Sequence, residues 1–124
     1  MPLGEKIRRY RRFHKRYEVE WDASLEVEFQ DLKGSINGQL KNFSIGGALL
    51  HLETMYIEGQ HLVVSQFKPQ LNLKIFCPEG VLESKIDIRW YDRVDEDNIF
   101  KAGVQFINMV KENKEVLEKV IANL

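Results

Sequence analysis

The sequence predicts an all-β domain closed by one terminal helix, and three observations carry that reading. Apolar and polar residues alternate with a period of two in several runs, tight-turn residues separate the runs, and only the last stretch changes to a helical period. With 124 residues, 44% of them hydrophobic, the chain can bury one core and is too short for two ordinary domains. Many short strands joined by tight turns, with one helix, favour a small closed or nearly closed β-barrel with the helix packed against it.

The first strand is the clearest. Val19, Trp21, Ala23, Leu25, Val27 and Phe29 alternate with Glu18, Glu20, Asp22, Ser24, Glu26 and Glu28, giving one apolar face and one acidic, solvated face. Turn chemistry follows in "DLKGSING", where Gly34 and Asn37-Gly38 permit positive φ. "GQLKNFSIGGALLHLE" reads as two short strands, around Leu40 and from Ala48 to Leu52, hinged at Gly46-Gly47. "QHLVVSQ", "LNLKIFC" and "SKIDIRWYD" supply further strands, with Leu71, Leu73 and Ile75, then Ile86, Ile88 and Trp90, at alternate positions. Pro78-Glu79-Gly80 and "DEDN" at 95 to 98 mark turns. "FKAGVQF" alternates Phe100, Ala102, Val104 and Phe106, for six or seven strands in all, and Val116, Leu117, Val120, Ile121 and Leu124 form a helical stripe.

Charge divides the chain. Residues 1 to 16 hold seven bases (Lys6, Arg8, Arg9, Arg11, Arg12, Lys15 and Arg16) against Glu5, a net +6; the rest holds eleven bases against eighteen acids, a net −7, and together they give −1. This organisation predicts a flexible basic arm over residues 1–16 and a barrel with its C-terminal helix over 17–124. The arm places charges where a signal peptide needs an apolar core, and no run approaches a membrane span in length, so the sequence predicts a soluble, cytoplasmic protein without membrane attachment. The single cysteine, Cys77, excludes an internal disulfide framework and a multi-cysteine zinc site, and reads as a small apolar residue near a strand end.

Two stretches carry more than fold. "RRFHKR" places Arg12 and Arg16 in R-x-x-x-R spacing, and "NFSIGG" places Asn42, Ser44 and Gly47 in [D/N]-x-S-x-x-G spacing about thirty residues later. In this order on an all-β pattern, the pair resembles the two signature motifs of the PilZ domain, and "RWYD" and "AGVQF" resemble its closing strands. The resemblance runs from about Arg8 to the C-terminal helix. It implies a six-stranded antiparallel barrel that binds cyclic di-GMP, with Arg12 and Arg16 contacting ligand, Arg11 assisting, and Asn42, Ser44 and Gly47 forming the barrel side. Arg8 and Arg12 also stand four apart; the Arg12 and Arg16 register is preferred because Arg16 abuts the first strand.

Elementary chemistry agrees with that implication. A cyclic dinucleotide offers two phosphates and two guanines, and a guanidinium can fork onto a phosphate, bond guanine O6 and N7, or stack on the base. Asn42 offers an amide oxygen to guanine N–H, Ser44 a short donor and acceptor, and Gly47 close backbone approach. Trp90 is either a core residue or a stacking platform for guanine, and joins the candidates. His14 is a polar spacer within the arginine run.

Each feature also has a plainer reading: the arginines as a solvated or unspecific polyanion arm, and "NFSIGG" as an ordinary turn. The rival function, a nucleic-acid-binding module using the arm, meets an acidic first strand and finds no cluster of exposed aromatics for bases. Catalysis is not predicted. "NFSIGG" lacks the first glycine of a nucleophile elbow and leads into a strand, and no acid-base pair or phosphate-cradling loop is recognisable. His51 and Glu53 share a strand face, but a third metal ligand, His61 included, has no recognisable spacing. The expectation is therefore a stand-alone cyclic di-GMP receptor without cofactor or metal, which folds its arm over the ligand and signals to a downstream protein.

Overall fold

The computed structural model describes residues 15–94 and 98–124; Arg11, Arg12 and nearly all of the expected arm lie outside them, as do residues 95–97. In chain order the elements are β1 (Tyr17–Glu28), β2 (Lys33–Phe43), β3 (Gly47–Leu52), β4 (Tyr56–Ile57), β5 (Gln60–His61), β6 (Gln70–Cys77), β7 (Gly80–Val94), β8 (Ile99–Ile107) and α1 (Lys111–Ala122). Six strands close an antiparallel barrel in the order β1-β2-β3-β8-β7-β6, with β6 pairing back to β1. β4 and β5 form a separate two-stranded ladder.

Alternation accounts for the interior. Ala23, Leu25 and Val27 of β1 are buried while their neighbours face water, and Leu50, Leu73, Ile75 and Ala102 complete a core of the same phase. Burying each of the leucine, isoleucine and valine side chains among them is worth about 1.5–3 kcal/mol, and this burial is the main force closing the barrel. Met55, Ile57 and Leu62 join the core near the β1–β2 hairpin tip. At the opposite end α1 brings in Leu117 and Val120 and packs on β7, where Asn113 Oδ1 accepts the Glu83 backbone N–H at 3.1 Å. Leu124, expected on the helical stripe, lies past the helix end and is exposed.

Two sequence expectations are corrected. The β1–β2 tip lies at Gln30-Asp31, closed by Phe29 N–H donating to Leu32 O at 2.8 Å, and Gly34, Asn37 and Gly38 lie inside β2. These glycines serve close approach instead of positive φ. A Cβ on Gly38 would stand 2.3 Å from the His51 carbonyl oxygen, and one on Gly34 would stand 2.9 Å from Ile57 Cδ1. Second, "QHLVVSQ" is strand only at Gln60–His61. His61 Nδ1 accepts the N–H groups of both Val63 and Val64, at 3.0 and 2.9 Å, and this local bonding diverts the backbone from any ladder. The turn expected before β8 ends at Asn98, whose φ of 53° is one that asparagine tolerates.

His61 therefore works as a neutral acceptor. It is buried, with Tyr56 edge-on at 4.9 Å and Tyr91 at 5.0 Å. Burial lowers its pKa, as it does for His51, which the charges of Lys41 and Lys101 depress further. Because both folded-state values lie below the ordinary 6.5, the unfolded chain takes up protons first. The stability from neutral His51 and His61 is complete above that value and lost as pH falls through the lowered folded-state values. Urea midpoints should thus drop between pH 7.5 and 5.5, and His61→Asn, which keeps an acceptor and cannot titrate, should show a smaller drop. An equal drop in that variant would show that His61 carries none of the effect.

Candidate functional site

The barrel's outer surface acquires a site where strand phase is broken. On β2, Leu40 pairs with Leu50 and Asn42 with Leu49, so Lys41 is an extra residue. On β7, Ile88 pairs with Val104 and Trp90 with Gly103, so Arg89 is extra. Such a bulge reverses the alternation beyond it. Leu40 and Phe43 both point inward and leave Asn42 outside; Ile88 packs on the core and leaves Trp90 outside at 49% exposure. The sequence pattern had placed Trp90 on the face of Ile86 and Ile88, and the bulge is the physical reason it stands opposite.

Cross-strand pairing then aligns the displaced residues. Asn42 is opposite Leu49, Leu49 opposite Gly103, and Gly103 opposite Trp90, one row across β2, β3, β8 and β7. At about 4.8 Å per strand the row spans roughly 14 Å. Arg16, just ahead of β1, donates from Nη1 to Asn42 Oδ1 at 3.0 Å. Its position is fixed by the start of β1, where the rings of Tyr17 and Trp21 each lie 5.6 Å from that of buried Phe43. Arg16, Asn42, Leu49, Arg89, Trp90 and Gly103 line a shallow cavity of about 280 Å³.

Gly103 and Arg89 were not singled out in the sequence. A Cβ on Gly103 would stand 2.0 Å from Trp90 Nε1, so the indole lies across the glycine and needs its missing side chain. The "AGVQF" alternation contained that glycine but not its partner, because the contact depends on pairing between strands. Arg89 has no local signal, since bulge position is likewise a matter of register.

Ser44 and Gly47 lie at the β2–β3 turn and do not line this cavity. Ser44 is buried, its Oγ accepting the Gly46 N–H at 3.2 Å and its own N–H donating to Gly47 O at 2.8 Å. A Cβ on Gly47 would stand 2.2 Å from the Val104 carbonyl oxygen, so its close approach is to β8. Both residues shape the turn that follows Asn42. The structure thus brings Arg16, Asn42 and Trp90 to one surface, with Ser44 and Gly47 buried at the adjoining β2–β3 turn; Arg11 and Arg12 are outside the described residues. Among the described residues, no three His, Cys, Asp or Glu side chains gather as a metal site, and no helix is long and apolar enough to cross a membrane.

Comparison with known proteins is consistent with this geometry. The family model of the PilZ domain matches residues 7–123. The PilZ domain with c-di-GMP of YcgR from Escherichia coli is similar over 92% of this chain and 91% of that one, at 16% identity and a TM-score of 0.64. The c-di-GMP complex of MrkH from K. pneumonia matches 89% of this chain at 15% identity and a TM-score of 0.58, and the apo state of MrkH matches the same share at 16% and 0.59. This chain spans about half the length of MrkH, 49%. No curated protein matches it in sequence.

The Gly103 contact is directly testable. Gly103→Ala should displace the Trp90 indole and move its N–H resonance in a proton–nitrogen correlation spectrum, while the Trp21 indole resonance stays in place. An unmoved Trp90 resonance would contradict the close packing.

Proposed function

This chain belongs to the PilZ domain family, and we propose that it is a receptor for cyclic di-GMP that binds the messenger across the Asn42–Trp90 row and signals by closing its N-terminal segment over it. The single observation that carries the reading is that two strand bulges turn Asn42 and Trp90 onto one outward surface, where Arg16 bonds Asn42. A planar, half-exposed indole offers a face to guanine, and Arg16 offers donors to a phosphate or a base edge. Asn42 Oδ1 keeps one lone pair after accepting from Arg16, and its amide nitrogen remains a donor. The similar PilZ domain of YcgR holds c-di-GMP, which supports the choice of nucleotide.

The domain is a binding module rather than an enzyme, and cyclic di-GMP is its ligand rather than a cofactor. Arg11 and Arg12 complete the arginine side. Neutralising them with a ligand phosphate would hold the N-terminal segment against the barrel and alter the surface offered to a partner protein. The rival, a nucleic-acid module, has the basic segment in its favour, but the outer row of β1 exposes Glu18, Glu20, Glu26 and Glu28.

Titration calorimetry with cyclic di-GMP, GTP, cyclic GMP and a short oligonucleotide separates these readings. Saturable binding of cyclic di-GMP is expected, with GTP and cyclic GMP binding measurably weaker and the oligonucleotide not at all. Arg16→Ala should weaken it roughly ten- to a hundredfold, the range for a charged hydrogen bond, without changing thermal stability. Binding of the oligonucleotide with no response to cyclic di-GMP would overturn the receptor reading.

A further inference from the structure

Arg89 has no part in the contacts between Arg16, Asn42 and Trp90, yet it occupies a defined place beside them. The β7 bulge puts it on the same outward face as Trp90, and it lines the cavity opposite Arg16 and Asn42. Its guanidinium is held in place: Nε donates to Gln105 Oε1 at 2.6 Å and Nη2 donates to the same oxygen. Gln105 stands directly across from Asp87 in the β7–β8 ladder, so Arg89 reaches back along the strand to meet it.

The electrostatic balance cancels this charge only in part. Gln105 is neutral, and Asp87 is engaged by Lys68 at 2.9 Å, closer than its 3.7 Å contact with Arg89 Nη1. Two cations thus share one carboxylate, and none of the described residues lining the cavity is acidic. Two of the five guanidinium N–H donors are used on Gln105, which leaves three for a ligand. A residue with a 60% exposed side chain, orientation fixed by a neutral partner and donors to spare is arranged to receive an anion.

We propose that Arg89 binds one phosphate of the ligand, on the edge of the dinucleotide ring away from Arg16, with Gln105 as its positioning residue. The proposal rests on the cyclic di-GMP reading above. A cyclic dinucleotide carries its phosphates on opposite edges of the macrocycle, and Arg16, held on Asn42 at one end of the row, reaches one of them. Arg89 comes from β7, at the far end of the four-strand row from Asn42. It therefore supplies the barrel's own contribution to anion binding and favours a ligand with two phosphates over a mononucleotide with one.

Calorimetry on the full chain tests this, with cyclic di-GMP and cyclic GMP as probes. Arg89→Ala should weaken cyclic di-GMP binding roughly ten- to a hundredfold and change cyclic GMP binding by less than about twofold. Arg89→Lys, which keeps the charge and loses the fork, should fall between Arg89→Ala and the unaltered chain. Gln105→Ala should weaken binding alone and add nothing in the Arg89→Ala background, a coupling that a purely structural glutamine would not show. Unaltered protein that binds cyclic di-GMP while Arg89→Ala stays within twofold of it overturns the role of Arg89 alone. An equal loss for both nucleotides overturns its assignment to the far phosphate. No binding by the unaltered protein overturns the receptor reading and Arg89's role with it.

Discussion

A side chain on a β-strand has two faces available, and one inserted residue exchanges them for everything that follows. In a small barrel the inner face is already filled: Leu40, Phe43, Leu50, Ile86 and Ala102 are buried and leave no room for an amide or a charged group. A polar residue two positions after Leu40, or an indole two positions after Ile88, would be carried into that core by strict alternation. The extra residues Lys41 and Arg89 prevent this and turn Asn42 and Trp90 outward at the places where pairing brings their strands into one row. The interior stays apolar, and the residues able to recognise a nucleotide are left on the surface.

Glycine contacts complete the arrangement. Gly38 admits the His51 carbonyl and Gly47 the Val104 carbonyl, while Gly103 admits the Trp90 ring. A glycine inside a strand costs roughly 0.5–1 kcal/mol in conformational entropy, and each of these is tolerated because a neighbouring group occupies the space a Cβ would need. Gly47 and Gly103 act together: one lets β3 press on β8, the other lets the indole of β7 press on β8. The turn that holds Ser44 and Gly47 closes β2 just beyond Asn42, and the rings around Phe43 hold the start of β1 next to Arg16.

Much of the barrel was legible in the sequence because alternation is a local property. β1, β6 and β8 follow their apolar patterns closely, and the change of period marks α1. Most of what was misread depended on neighbours distant in sequence, and one stretch on a local side-chain bond. Gly34 and Gly38 look like turn residues until Ile57 and His51 are found against them. "QHLVVSQ" has strand composition, but the ring nitrogen of His61 takes the backbone N–H groups a longer ladder would use. Arg16 and Asn42 were visible as parts of spaced motifs, and their 3.0 Å contact joins the two motifs in space. Gly103 and Arg89 had no such signal, because their surroundings come from strand register.

The most direct measurement is a residue-resolved map of amide shifts during titration with cyclic di-GMP. We expect the changes to trace the row itself: the Asn42 side-chain amide, the Leu49 and Gly103 backbone amides and the Trp90 indole N–H, with Val63, Val64 and the face of α1 unmoved. Shifts confined to the segment after His61 or to α1, with the row silent, would contradict a site created by the two bulges.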